Sequence, residues 1–273
     1  MHMPGWVLVV AAAAAGMAVG SYLAVLAAAV PAGAGLFRAP SRLLSAPSRC
    51  PECGARGRAA AAIPLVGWLP RGRCRGCGTP AGAAAGPPAS TWRPAVELGT
   101  GALFAVMALR FGFSPVLPAF WFLAALAVVL AVIDLQHRRL PDPLTLPAYP
   151  VAVVLLGVAA LAISGGARHL VSALAGMAAA WLFFLLLALV YPAGLGWGDV
   201  KLSGVLGLYL GWLGATALLA GVLGAFVLAS LAGLALIAAG RATRKSHIPF
   251  GPFMLASAIV VIACSGLVPA LAR

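Results

Sequence analysis

Acidic side chains are scarce. The 273-residue chain has five, Glu52, Glu97, Asp134, Asp142 and Asp199, against 18 lysines and arginines. Charged residues of both signs make up only 8% of it and hydrophobic residues 63%. A soluble domain carries about a quarter charged residues, so an ordinary soluble fold is excluded. No lysine or arginine precedes Arg38, so the first apolar run lacks the basic flank of a cleaved signal peptide and reads as a retained helix. There is no glycine-rich strand-to-helix turn of the dinucleotide-binding type. The net charge of +13 would suit nucleic acid, but membrane proteins gather arginine and lysine on cytoplasmic loops, and no nucleic-acid partner is expected. Cysteine is also rare, five in all, and four of the five fall in one loop.

What is abundant is apolar sequence in runs near the ~20 residues that cross a bilayer as a helix. Eight such segments are expected, at about 6–30, 94–112, 116–133, 144–164, 170–191, 200–213, 215–239 and 248–270. The sixth is short, and its separation from the seventh rests on Gly211-Trp212-Leu213-Gly214. The loop at 31–93 holds nine arginines. With that loop in the cytoplasm, alternation puts 15 lysines and arginines inside and leaves Arg110, Arg168 and Arg273 outside, the bias that orients membrane proteins. Both chain ends then lie outside. The C-terminal end of the third span and the start of the sixth face the cytoplasm.

The clustered cysteines are Cys50 and Cys53, then Cys74 and Cys77, two CxxC pairs twenty residues apart. The spacing suits two knuckle turns that present four thiolates to a tetrahedral structural zinc. Redox pairs or reduced structural thiols are the alternatives, and a reducing cytoplasm argues against disulfides. A closed four-thiolate site leaves no position for substrate, so this zinc would hold together a loop that has little core of its own. Cys264 stands alone in the last span and reads as packing.

The few acids narrow the chemistry. Asp134 ends the third span, and Asp199, within Gly196-Trp197-Gly198-Asp199-Val200-Lys201-Leu202, opens the sixth. Both fall at the cytoplasmic edge of the bilayer, where a buried carboxylate is costly. Gly196 and Gly198 are expected to let the backbone turn where a Cβ would resist. For Asp199 alone a helix cap explains as much as a function does, and Asp134 alone reads as a solvated helix end. Together they suit shared-proton acid–base chemistry, because two close carboxylates cannot both ionise cheaply. Asp142, between two prolines, reads as a turn or cap residue, and Glu97 as a helix N-terminal charge. Gly204, Gly207 and Gly211 suggest close helix contact.

Assembled in order, these motifs resemble the bacterial prepilin peptidases, the type IV leader peptidases. Gly20-Ser21-Tyr22-Leu23 is similar to the family's early Gly-Ser-Phe-Leu. The CxxC pairs match its larger, bifunctional members. Asp134 with Leu140-Pro141-Asp142 resembles the first aspartate motif, Gly196 to Leu202 the GxGD motif, and Ile248-Pro249-Phe250-Gly251-Pro252-Phe253 the opening of the last span. The resemblance implies an all-α integral membrane protein of the bacterial inner membrane. It would have about eight transmembrane helices and a small cytoplasmic zinc-knuckle domain between the first two: a first helix at 1–33, the knuckle domain at 34–93 and a seven-helix aspartic peptidase core at 94–273. It further implies an endopeptidase that removes the basic leader of type IV prepilins or type II secretion pseudopilins at the cytoplasmic face, with Asp134 and Asp199 as the catalytic aspartates. S-adenosylmethionine-dependent methylation of the new N-terminus accompanies this in many members. Here Ala24-Val25 stands where Asn-Val is usual, and Thr91 to Leu98 only approximates the family pattern, both in the part associated with methyl transfer. That activity stays open, with Glu97 the residue to test for it.

Two rival classes remain. Intramembrane acids also mark proton relays, which makes a proton-coupled transporter the alternative; against it, the acids lie at span ends and no inverted repeat of broken helices is visible. A non-catalytic scaffold with a zinc knuckle would leave the paired aspartate motifs unexplained.

Overall fold

The computed structural model describes residues 4–29, 87–191, 195–241, 243 and 249–265. The zinc-knuckle cysteines Cys50, Cys53, Cys74 and Cys77 lie outside the described residues, as does most of the expected knuckle domain. The described residues form eight helices and no strand: α1 (Gly5–Ala29), α2 (Pro87–Phe111), α3 (Leu117–His137), α4 (Asp142–Ala162), α5 (Gly166–Val190), α6 (Trp197–Leu213), α7 (Ala215–Ala238) and α8 (Gly251–Cys264). Six of them, α1 to α5 and α7, are long and apolar enough to cross a membrane; α6 has 17 residues and the described part of α8 has 14. Large apolar side chains stand fully outward, Leu161 at 91% and Val190 at 82% exposure among them, which suits contact with lipid and not with water. The chain is a multi-pass membrane protein.

Helix α2 begins earlier than the hydropathy implied. It starts at Pro87, and the span expected from Pro94 is the remainder of a longer helix with Pro94 inside it. Proline is at home in a first helical turn, so a Pro87-Pro88 pair is as good a helix start as it is a loop.

Two compact units divide the chain, Met1–Gly112 with Ala124–Ile133, and Phe113–Leu123 with Asp134–Arg273. In the first, α1 and α2 pack antiparallel through glycine. A Cβ on Gly16 would lie 2.7 Å from the Thr100 carbonyl oxygen, and one on Gly20 2.7 Å from Glu97 Cα. Gly16 and Gly20 are four residues apart, the small-xxx-small spacing that lets backbones meet where hydrophobic burial supplies no drive.

The second unit repeats the device between α5 and α6. A Cβ on Gly176 would stand 2.6 Å from the Gly207 carbonyl oxygen and one on Gly211 2.6 Å from that of Ser172, so the close contact expected at Gly207 and Gly211 is observed. Ser172 Oγ donates to the Gly211 carbonyl at 2.8 Å, and His169 Nδ1 lies 3.0 Å from the Trp212 carbonyl oxygen. Gly204 makes room for the Tyr149 ring of α4, whose hydroxyl donates to the Lys201 carbonyl at 2.5 Å. Helix α8 is tied to α7 by Ser257 Oγ donating to the Gly221 carbonyl at 2.8 Å. These contacts hold α6 between α4 and α5, with its first turn at one end.

Candidate functional site

Asp134 lies in the last full turn of α3. The helix ends just beyond it because Arg138 turns left-handed at φ 52° and donates its N–H to the Asp134 carbonyl at 2.8 Å. The Asp134 side chain is buried, at 5% exposure, and its Oδ2 has no hydrogen-bond partner among the described residues.

Asp199 is the third residue of α6. Gly196 is the N-cap, with extended backbone at φ −76° and ψ 146°. The Asp199 N–H donates to the Gly196 carbonyl at 3.0 Å, and Oδ2 accepts the Gly196 N–H at 3.3 Å. This is half of a capping box, so Asp199 does cap its helix, as an N3 residue and not as the N-cap. The glycines act differently from the sequence expectation. Neither has a positive φ; both are needed for space. A Cβ on Gly198 would lie 2.9 Å from Leu140 Cβ, and one on Gly196 would lie 3.3 Å from Asp199 Oδ2. Leu140 sits between α3 and α4, so the missing Cβ of Gly198 brings the start of α6 against the chain that has just left Asp134.

The two carboxylates meet at Gly251, the first residue of α8. A Cβ there would stand 2.6 Å from Asp134 Oδ2 and 3.6 Å from Asp199 Oδ1. The two oxygens are thus within about 6 Å of each other, near enough for one carboxylate's charge to act on the other's proton. Asp134 is sealed in and Asp199 is partly exposed, so the pair has one inner and one outer member. Asp199, ahead of the apolar run that begins at Val200, has its pKa pushed up to about 7. Burial is the main cause and the Asp134 charge the second, while the hydrogen bond from Gly196 pulls the other way.

Phe250 fixes where α8 begins. Its ring packs against Phe226 of α7 at 5.1 Å and Phe184 of α5 at 6.1 Å between centroids, and those two stack on each other at 5.8 Å. Lys201 does not serve Asp199. Its Nζ pairs with Asp142 Oδ1 at 2.6 Å, an exposed contact between the second turn of α6 and the first residue of α4. His137 is exposed at the end of α3.

Glu97 belongs to the first unit. It is fully buried in the third turn of α2, not at a helix start as expected, because the helix begins ten residues earlier. Oε1 accepts Ser21 Oγ of α1 at 2.6 Å and Arg93 Nε at 2.7 Å. The Ser21 hydroxyl is the polar link between the two helices, while Arg93, one turn away on α2 itself, offsets the cost of burying the carboxylate. Among the described residues no three His, Cys, Asp or Glu side chains group as a metal site.

The type IV leader peptidase family matches residues 121–238, and the bacterial peptidase A24 N-terminal domain matches residues 14–111. The chain is 33% identical to the prepilin leader peptidase/N-methyltransferase of Stutzerimonas stutzeri over 211 residues, 76% of this chain and 68% of that one. The chain belongs to the type IV leader peptidase family. It is similar to the proteins of the same name from Aeromonas hydrophila, at 34% identity over 81% of this chain and 72% of the relative, and from Burkholderia pseudomallei strain 1026b, at 32% over 77% and 64%. The matched regions thus span between 64% and 72% of these relatives' lengths. No solved structure matches. Both aspartates fall in the part matched by the leader peptidase family, while Gly251 lies beyond its end. Ser21 and Glu97 fall in the part matched by the N-terminal domain.

Proposed function

We propose that this chain is a membrane aspartic endopeptidase that removes the basic leader of type IV prepilins or related pseudopilins at the cytoplasmic face. The observation that carries the reading is the convergence of Asp134 and Asp199 on Gly251. Two carboxylates at this range hold a single proton near neutral pH. One aspartate of the pair starts with the proton and the other starts as the base. The base takes a proton from water as the water oxygen attacks the scissile carbonyl, and the acid gives its proton to the carbonyl oxygen. Collapse of the tetrahedral intermediate breaks the C–N bond. The leaving amine takes the proton from the aspartate that began as the base, and the other recovers its own from the collapsing hydroxyl, which resets the pair.

The eight-span layout, with the knuckle domain at 34–93 and both termini outside, belongs to the same proposal. It is supported by the sorting of lysine and arginine between loops. Cys50, Cys53, Cys74 and Cys77 would hold a structural zinc, on their spacing, and no step of the reaction runs through it. Relatives named prepilin leader peptidase/N-methyltransferase support use of S-adenosylmethionine to methylate the new N-terminal amine. The hydrogen-bonded state of Glu97 favours a structural role for that residue over a cofactor contact.

One incubation tests the reading. Prepilin mixed with the full chain in membranes should lose the mass of its leader, and with S-adenosylmethionine should gain one methyl. Intact prepilin in both samples contradicts the peptidase proposal. Leader loss without the methyl contradicts only the second activity. Two CxxC pairs at this spacing predict one zinc per chain by elemental analysis.

A further inference from the structure

The start of α8 is the third side of the space between the acids. Gly251 is buried, and the position its Cβ would take is occupied, within 2.6 Å, by the unpartnered and buried Oδ2 of Asp134. The same position is in van der Waals range of Asp199 Oδ1. The buried Asp134 carboxylate therefore lies against a helix N-terminus, whose dipole favours negative charge, with Oδ2 aimed at its first residue. The backbone does not itself require glycine, since the Gly251 φ is not positive. Alanine in a helix is also intrinsically better than glycine. What forbids a side chain is the space the acids use.

We propose that Gly251 is a positioning residue for the aspartate pair: its missing side chain sets the place of the Asp134 carboxylate and leaves open the gap where water and the scissile carbonyl meet the two acids. The inference rests on the peptidase reading for its chemistry, although the geometry stands without it. Phe250, packed against the stacked pair of Phe184 and Phe226, holds the glycine at that spot. A methyl at 251 meets the far end of a flexible side chain and not backbone, so Asp134 can swing aside. The fold survives and the acid is displaced.

The test compares Gly251→Ala with Gly157→Ala, a glycine in α4 whose added Cβ would meet nothing within 4 Å. Both are made in the full chain and assayed on prepilin. Gly251→Ala should lower kcat by about 100-fold, the cost of misplacing a reacting group by about 1 Å, with KM within threefold of wild type. Gly157→Ala should match wild type. A Gly251→Ala enzyme within threefold of wild-type kcat overturns the inference, as does an equal loss in Gly157→Ala. A thermal cycle with Asp134→Ala needs no activity. With the carboxylate gone, Gly251→Ala should raise Tm by about 2 °C relative to its effect in the wild-type background. The same change in both backgrounds overturns the inference. If wild type cleaves no prepilin, the peptidase reading fails and the thermal cycle alone decides the role of Gly251.

Discussion

Replacing Asp199 by asparagine and by alanine separates its two roles. The carboxylate caps α6 through Oδ2, which accepts the Gly196 N–H at 3.3 Å, and it faces Asp134 and Gly251 through Oδ1. Asparagine keeps a side-chain oxygen for the cap and loses the proton. Alanine loses both. The cap hydrogen bond is long and exposed, so its loss should cost near the low end of the usual range, about 0.5 kcal/mol. Proton transfer by a positioned side chain is worth about 10²- to 10⁴-fold in rate, or roughly 3–5 kcal/mol of transition-state stabilisation at about 1.4 kcal/mol per tenfold. Asp199→Asn and Asp199→Ala should therefore be equally inactive, each at least 100-fold down in kcat/KM on prepilin. Their Tm values should differ by about 1–2 °C, with asparagine the higher. Cleavage is read by the mass of the released leader and Tm by unfolding of the purified protein in detergent. An asparagine enzyme with more than a tenth of wild-type kcat/KM, beside an inactive alanine enzyme, would mean that Asp199 acts only as a cap.

Three further outcomes follow from the same geometry. Because the Asp199 pKa is raised to about 7 beside Asp134, the pair holds its shared proton below that pH and loses it above; kcat/KM should fall on the alkaline side of about pH 7, and a flat profile to pH 9 would show that no shared proton is needed. Gly207→Val would push a side chain against the Gly176 carbonyl oxygen and Ala180 Cβ, neither of which can turn away; it should cost about 1–3 kcal/mol, seen as a lower Tm, and an unchanged Tm would show that α5 and α6 can separate freely. Asp142→Lys would put a second cation beside Lys201, now its ion-pair partner; KM for a prepilin with a basic leader should rise by up to about fivefold, the range of an exposed charge pair, with kcat little changed, and an unchanged KM would remove Asp142 from leader recognition.

The two aspartates were legible in the sequence because the chain offers so few acids and both stand at the ends of apolar runs. Their meeting was not, since it depends on how α3, α6 and α8 pack. The small glycines of α6 could be read as a contact face from spacing alone. The GxGD glycines were read for conformational freedom and turned out to supply room, one for Leu140 and one for the Asp199 carboxylate, because the close neighbour in the first case comes from elsewhere in the chain. Lys201 stands two residues from Asp199 in sequence, yet its ammonium pairs with Asp142, 59 residues away, a partner no local pattern marks. Glu97 was read as a helix-start charge because hydropathy puts the span's beginning at Pro94; the helix continues upstream through polar and proline-containing sequence that no apolar pattern marks. Gly251 carried no signal beyond its motif, since a residue whose role is to be absent has no chemistry of its own to read.

The central claim is that Asp134 and Asp199 work as one proton-sharing unit. Kinetics of Asp134→Asn, Asp199→Asn and the double variant on prepilin test it most directly, because groups that act together are far from additive. The account predicts that each single variant loses at least 100-fold in kcat/KM and that the double variant is within threefold of either. A double variant whose loss is the product of the two single losses, or a single variant that cleaves at the wild-type rate, would contradict it.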